Sequence, residues 1–495
     1  MVLDGPTPPA WQVGVAEALA ASSYVILTEV STTATSREES VWRLHRALER
    51  RLFNFSPDPM SPTALSLETS TLSDPPDCTV WLAEAPPPED QTVIVVRYGR
   101  WLEHARRAFR RAAAEGAAVV QTQAILERPG APPRVLAQGT TGVRAYSIGV
   151  GLNMALWRSV TIVERAVAVY AGAVDAPANA GEPSARAPDG PAFRDKAVLG
   201  TAAVRWLRVL ATRLLFRRPW RILIRELEPE PLSGWSSKEA LVRWKAGHVY
   251  ADPFLFEHDG RHHLFCEEVP EGSHKGIISH TELRHGSLAE PPSPVLVANH
   301  HLSYPFVFTY AGTVFMVPET LGAGRVELHR AVDFPNVWKL DSVLLDGVRA
   351  ADATLFEHGD QWWLFAAMGG NATTLTDALH AFFADSPRGP WKPHPQNPVV
   401  ADVRAARPAG AVFRDGGRLI RPAQDSSRRY GWALTFREIV TLTPESYEER
   451  SLGRLEPRAI SGARAVHHYA RDSRYEAIDI RRRIPRLALA ARLLD

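Results

Sequence analysis

The sequence predicts an α/β N-terminal domain followed by an all-β five-bladed β-propeller. Three observations carry that prediction. Strand-like and helix-like patterns alternate through residues 1–172, a stretch rich in Ala, Pro and Gly then interrupts the chain, and beyond residue 248 short β-rich runs recur at a spacing near fifty residues.

In the first segment the apolar runs Tyr24–Val30, Thr79–Leu82 and Val93–Val96 alternate with helix-like stretches, Glu39–Leu52 and Leu102–Ala114. Residues 173–193 cannot bury a core and read as a linker. Ala202–Ile224 sets Arg205, Arg208, Arg213, Arg217, Arg218 and Arg221 among Leu, Val, Trp and Phe, the composition of a basic amphipathic segment. It reads either as an interdomain helix with a solvated arginine face or as a membrane-surface contact. The organisation is therefore an α/β domain over 1–172, a linker and basic segment over 173–247, a propeller over 248–482 and a basic tail over 483–495.

The propeller prediction rests on four segments that superpose: DPFLFEHDGRHHLFCE from Asp252, YPFVFTYAGTVFMVPE from Tyr304, DATLFEHGDQWWLFAA from Asp352 and AGAVFRDGGRLIRPAQ from Ala409. A shared Phe recurs at Phe256, Phe308, Phe356 and Phe413, and VHHYARDSRYEAIDI from Val466 supplies a fifth unit. Repeats of this length built from strands are propeller blades. Each clear repeat holds a four-residue turn between antiparallel strands. Pairing outward from the turn sets Asp252 opposite Glu267, Tyr304 opposite Glu319, Asp352 opposite Ala367 and Ala409 opposite Gln424. If the first strand of each blade is innermost, these ends gather at one mouth of the central channel.

Composition narrows the function. The 495 residues carry 57 Lys and Arg against 55 Asp and Glu, a net charge of +2, so no whole-molecule field recruits nucleic acid. Cys78 and Cys266 are too few for a disulfide framework or a Cys-rich zinc site, and no metal or cofactor is expected. With no export signal and no long apolar run, the expected location is cytoplasmic, with the basic segments allowing peripheral contact at the inner face of a membrane.

Asp252, Asp352, Glu267 and Glu319 are the candidate catalytic residues. Carboxylates converging in a partly dry channel push one another's pKa values apart, which is what acid/base chemistry at a glycosidic bond requires. Tyr304, Arg407, Gln424, Asp425 and His468 are candidate substrate contacts, Tyr304 as a stacking face for a sugar. Adjacent His467 and His468 on a strand face opposite sides, so one of them is expected to reach the channel. The same carboxylates, read structurally, would hydrogen-bond backbone amides of a neighbouring blade.

ADPFLFEHDGRHHLF and FFADSPRGPWKPHPQNPVV resemble blades of the glycoside hydrolase family 43-like propellers. HLSYPFVF, RAVDFPNVW, DATLFEHGDQWWLFA and RDGGRLIRPAQDSSRRYG resemble, more closely, the N-terminal domain of the glucosamine inositolphosphorylceramide transferase family. The first resemblance implies a general base at Asp252. The family's second-blade Asp is replaced here by Tyr304 and its third-blade Glu by Asp352, which speaks against hydrolysis by the family's triad, and the expected cytoplasmic location favours transfer over polymer hydrolysis. In the plant transferases the named reaction belongs to a further C-terminal domain. The first domain resembles the formyltransferase fold, with Gly99 and His104 at the family's spacing but Leu102 in place of Asn and no Asp in Leu126–Gly139, so His104 is read as a vestigial position. The expected function is glycosyl transfer in envelope, exopolysaccharide or glycolipid assembly, with a sugar or glycolipid substrate and a nucleotide-sugar as a candidate donor. A non-catalytic glycan-binding propeller and formyl transfer to an amino sugar are the alternatives.

Overall fold

In the computed structural model the described residues are 1–4, 7–22, 31–33, 49, 58–63, 77–144, 147–176, 195–228, 235, 245, 247–284, 286–370 and 375–486. The predicted strand Tyr24–Val30, all of the predicted helix Glu39–Leu52 except Glu49, most of the linker and residues 487–495 lie outside them. The chain divides into two compact units, Met1–Val209 and Leu210–Gly370 with Thr374–Asp495.

The first unit is built on one mixed sheet with the order β2-β1-β3-β4-β5-β6. Its strands are β1 (Val2–Asp4), β2 (Ser31–Thr33), β3 (Thr79–Trp81), β4 (Val93–Tyr98), β5 (Val119–Arg128) and β6 (Ala131–Gly142). β1 to β4 pair in parallel and β4, β5 and β6 antiparallel. The unbroken apolar run in β4 suits a strand covered on both faces, and Val93, Ile94 and Val95 are buried. Helices α1 (Ala10–Ala20), α2 (Ala105–Glu115) and α3 (Ile148–Tyr170) complete a core that includes Leu3, Val15, Ile94, Phe109, Ala155 and Val163. α2 stops at Gly116, whose φ of 70° makes a left-handed cap that costs glycine little. A fourth helix, α4, spans Asp195–Leu215. Among the described residues, no helix is long and apolar enough to cross a membrane.

The second unit is the five-bladed propeller. The inner strands are Val249–His258, Ser303–Tyr310, Ala350–His358, the interrupted pair Arg407–Pro408 and Phe413–Asp415, and Ala465–Arg471. Each leads into an antiparallel sheet, and the five sheets follow one another around the ring. Alternating apolar residues of facing sheets fill the spaces between blades, as with Phe254, Phe306, Phe315 and Leu355 between the first three.

The fifth blade departs from the predicted boundary at 248. Ala465–Arg471 pairs with Tyr475–Arg481, and the third strand of that sheet is Trp220–Glu226, in register from Tyr475 opposite Glu226 to Arg481 opposite Trp220. The segment read as linker and basic stretch thus supplies α4 and then a propeller strand. A ring of blades has an open edge where its chain ends meet, and a strand drawn from upstream of the repeats covers that edge with ladder hydrogen bonds. The predicted tail also begins as a strand, Ile484–Pro485 pairing with Phe216–Arg217.

A bulge in the inner strands shifts the predicted register by one. Phe254 lies opposite Phe265 as expected from the turn, but Ala251 rather than Asp252 lies opposite Glu267. The same slip brings Ser303 opposite Glu319 and Ala351 opposite Ala367, and in the fourth blade Arg407, not Ala409, lies opposite Gln424. The first bulged residues, Asp252, Tyr304 and Asp352, take left-handed φ values of 49°, 46° and 55°. Non-glycine residues there are strained by roughly 1–3 kcal/mol each. Pro253 and Pro305 occupy the next positions, where a missing N–H costs the ladder nothing.

Candidate active site

The bulges turn Asp252, Tyr304 and Asp352 out of the ladder, and the backbone N–H groups of Asp252 and Tyr304 face the preceding blade. Tyr304 N–H donates to Asp252 Oδ2 at 3.2 Å, and Asp252 N–H donates to Asp479 Oδ2 at 3.0 Å. Asp479, on the second strand of the fifth blade, also accepts from the backbone N–H groups of His467 and His468 at 3.2 and 2.9 Å.

Both histidines reach Asp252. The fifth-blade bulge sets His467 and His468 together opposite Asp479, which cancels the alternation that would have separated them. His467 Nδ1 lies 2.7 Å from Asp479 Oδ2 and its Nε2 3.5 Å from Asp252 Oδ1, while His468 Nδ1 lies 3.6 Å from the same Asp252 oxygen. Burial works against a charge on His467, but Asp479 and then Asp252 and Asp352 outweigh it and raise its pKa to about 9. Burial likewise pushes the Asp252 carboxyl up, and the His468 contact with the charges of His467, His468 and Arg407 overcomes it, holding Asp252 down at about 2.

On the far side of the channel Arg407 binds Asp352 through two bonds, Nε to Oδ2 at 2.6 Å and Nη2 to Oδ1 at 3.1 Å, and reaches Glu319 Oε2 at 3.4 Å. Gln424 donates to Asp352 Oδ2 at 3.2 Å. A bidentate guanidinium thus clamps Asp352. Glu319 is different: burial and the Asp352 charge raise its pKa well above the ordinary carboxylate range despite Arg407. Glu267 is also raised, by burial against a His301 contact of 3.2 Å. The side chains of Glu267 and Glu319 keep 13% and 10% exposure, so both remain accessible from solvent.

Three predicted substrate contacts take other roles. The Tyr304 ring is completely buried, its hydroxyl 2.7 Å from Thr354 Oγ1 and accepting from Gly410 N–H at 2.9 Å, so no face is left for a sugar. His468 is also fully buried, edge-on to Phe254 at 4.6 Å. Asp425 is held by Arg454 at 3.1 Å and by the Ser427 N–H at 3.0 Å. Three residues unflagged by the sequence join the site instead: Asp479, Trp220, which stacks on His467 at 4.0 Å, and the exposed Tyr430, whose ring lies 5.0 Å from the Arg407 guanidinium carbon.

Among the described residues, Asp252, His467 and Asp479 each offer a ligand atom, all within 4.8 Å of one another, and could hold a metal ion. A metal requires neutral His467, whereas its surroundings favour the protonated ring.

In the first unit, His104 precedes α2 and lines a cavity of about 40 Å³ with Asp4, Trp11, Trp81 and Tyr98. Burial, with Arg97 nearby, lowers the His104 pKa.

A five-bladed propeller with a carboxylate-lined channel is the class of protein these features define. Residues 240–482 match the family described as glucosamine inositolphosphorylceramide transferase 1, N-terminal. Curated relatives named glucosamine inositolphosphorylceramide transferase 1 from Arabidopsis thaliana and from Oryza sativa subsp. japonica are 35% and 36% identical over 203 residues, 40% of this chain and 26% and 27% of theirs. The matched part thus spans about a quarter of those relatives' length. Among solved structures, the catalytic domain of the Coprinopsis cinerea GH62 α-L-arabinofuranosidase is 15% identical with a TM-score of 0.36, covering 53% of this chain and 97% of that one. A family 117 glycoside hydrolase of Zobellia galactanivorans is 12% identical with a TM-score of 0.36, covering 52% and 91%.

Proposed function

We propose that the propeller acts on a carbohydrate, breaking and transferring a glycosidic linkage in its channel. The observation that carries this reading is the opposite displacement of two carboxyls in one site: Asp252 is held down at about 2, while Glu319 is raised well above the ordinary carboxylate range. Groups separated in this way divide acid and base roles. Glu319 would give its proton to the leaving oxygen as the glycosidic bond breaks, and Asp252 would take the proton of the attacking hydroxyl or attack the sugar carbon itself. His467, charged and held by Asp479, would keep Asp252 ionised. Arg407, bound to Asp352, limits how far the Glu319 pKa rises. The exposed Tyr430 offers the stacking face that Tyr304 does not. The reading extends to a nucleotide-sugar as donor and a glycolipid as substrate at the inner face of a membrane, and the description of the matching family supports the glycolipid.

A panel of nucleotide-sugar and lipid-linked donors, assayed for product by mass spectrometry with the whole chain and with Asp252→Asn, tests it. Product in the wild type that disappears in the variant, with sugar binding retained, is the expected result. Equal turnover in both would refute the role of Asp252, and sugar binding without product from any donor would leave a glycan-binding module.

A further inference from the structure

Beside the channel mouth, the second unit carries a pocket of about 670 Å³ lined by six arginines, Arg213, Arg217, Arg218, Arg221, Arg481 and Arg486, with no acidic residue in its lining. Among the described residues, none of the six has a carboxylate partner. The side-chain bonds of Arg221, Arg481 and Arg486 run to backbone carbonyls, those of Trp220 and His248, of Arg218 and of Arg213 respectively. Arg218 Nε is buried with no acceptor at all. Like charges gathered without counter-charge repel one another, and a buried guanidinium donor left unpaired adds to the cost. Burial, with Arg481, Arg483 and Arg213, accordingly lowers the pKa of Arg218. The arrangement is completed by an anion.

One side chain, Trp220, connects the pocket to the site. Arg481 lies over the Trp220 ring at 5.3 Å, and the opposite neighbour of Trp220 is His467, which faces Asp252. Several forked guanidiniums suit the multiple acceptor oxygens of a phosphate better than the two of a carboxylate. The volume exceeds what a bare phosphate needs and leaves room for its ester substituents. We infer that this pocket is a phosphate subsite, and that the carbohydrate entering the channel is a phosphate ester whose anion rests among Arg217, Arg218, Arg481 and Arg486. The second half of that inference rests on the proposed carbohydrate chemistry; the subsite itself does not.

Calorimetric titration of the full chain with inorganic phosphate, glucose 1-phosphate and glucose tests the two parts separately. An Arg217→Gln/Arg486→Gln variant alters two exposed side chains and keeps the fold, and Arg218→Gln removes the buried donor. Phosphate affinity should fall at least tenfold in the double variant and persist in Asp252→Asn. Glucose 1-phosphate should bind more tightly than either part alone. Phosphate binding without any gain from the sugar would uphold the subsite and overturn its link to the channel. No phosphate binding, or equal affinity in wild type and double variant, would overturn the subsite. Co-sedimentation with phosphatidylinositol vesicles but not phosphatidylcholine vesicles, lost in the double variant, identifies the ester as a lipid headgroup. Tight glucose 1-phosphate binding with no vesicle retention identifies it as a soluble sugar phosphate.

Discussion

Replacing His467 by Gln should remove a loss of stability that the wild-type propeller undergoes between pH 6.5 and 9. The ring is almost fully buried, which alone would drive its proton off; Asp479 at 2.7 Å and Asp252 at 3.5 Å hold the proton on and raise the pKa from 6.5 to about 9. A folded-state pKa above the unfolded one contributes stability that is fully present below pH 6.5 and lost as pH rises through 9. At 1.36 kcal/mol per pKa unit, the displacement is worth about 3 kcal/mol. For a unit of this size that corresponds to roughly 6–12 °C in melting temperature. Scanning calorimetry of wild type and variant from pH 6.5 to 9.5 reads it as a difference between two curves. The difference matters because Glu319 and Glu267, whose raised pKa values also lower stability as pH rises, titrate in both proteins. Melting curves that stay parallel over this range would refute a charged, carboxylate-held His467.

Arg407→Met should destabilise the propeller by about 3–5 kcal/mol, because it strands the buried Asp352 carboxylate without its counter-ion. In urea unfolding the added change Asp352→Asn should recover much of that loss, and no recovery would mean that the pair is not coupled. Gly410→Ala should cost about 3 kcal/mol or more, since φ is 137° and the new methyl would sit 1.9 Å from the Tyr469 carbonyl oxygen where the fourth and fifth blades meet. Its measurement is the same denaturation curve, and wild-type stability would mean that this junction relaxes freely.

The blade count was legible because each repeat is a strand pair around a turn, and Phe256, Phe308, Phe356 and Phe413 keep their place relative to that turn. The gathering of Asp252, Asp352 and Glu319 near one end followed from the same counting. Three things did not follow. Trp220 sits among arginines, and nothing local distinguishes a strand that closes a ring from the basic segment around it. Asp479 lies in YEAIDI, which reads as an ordinary strand; its importance comes from the two histidines across the ladder. The register itself slipped because a bulge leaves no composition mark when its left-handed residue is Asp or Tyr instead of Gly.

That unmarked residue is also what makes the site. In an unbulged ladder Asp252 would pair with the neighbouring strand and its N–H would be spent there. Displaced, it gives its N–H to Asp479, accepts from Tyr304, and brings its carboxylate against two histidines. The strain of two left-handed residues, Asp252 and Tyr304, is thus tied to a chain of bonds running from the fifth blade to the second. The proposed chemistry depends on the contrast this site builds, with Asp252 held low and Glu319 raised well above the ordinary carboxylate range.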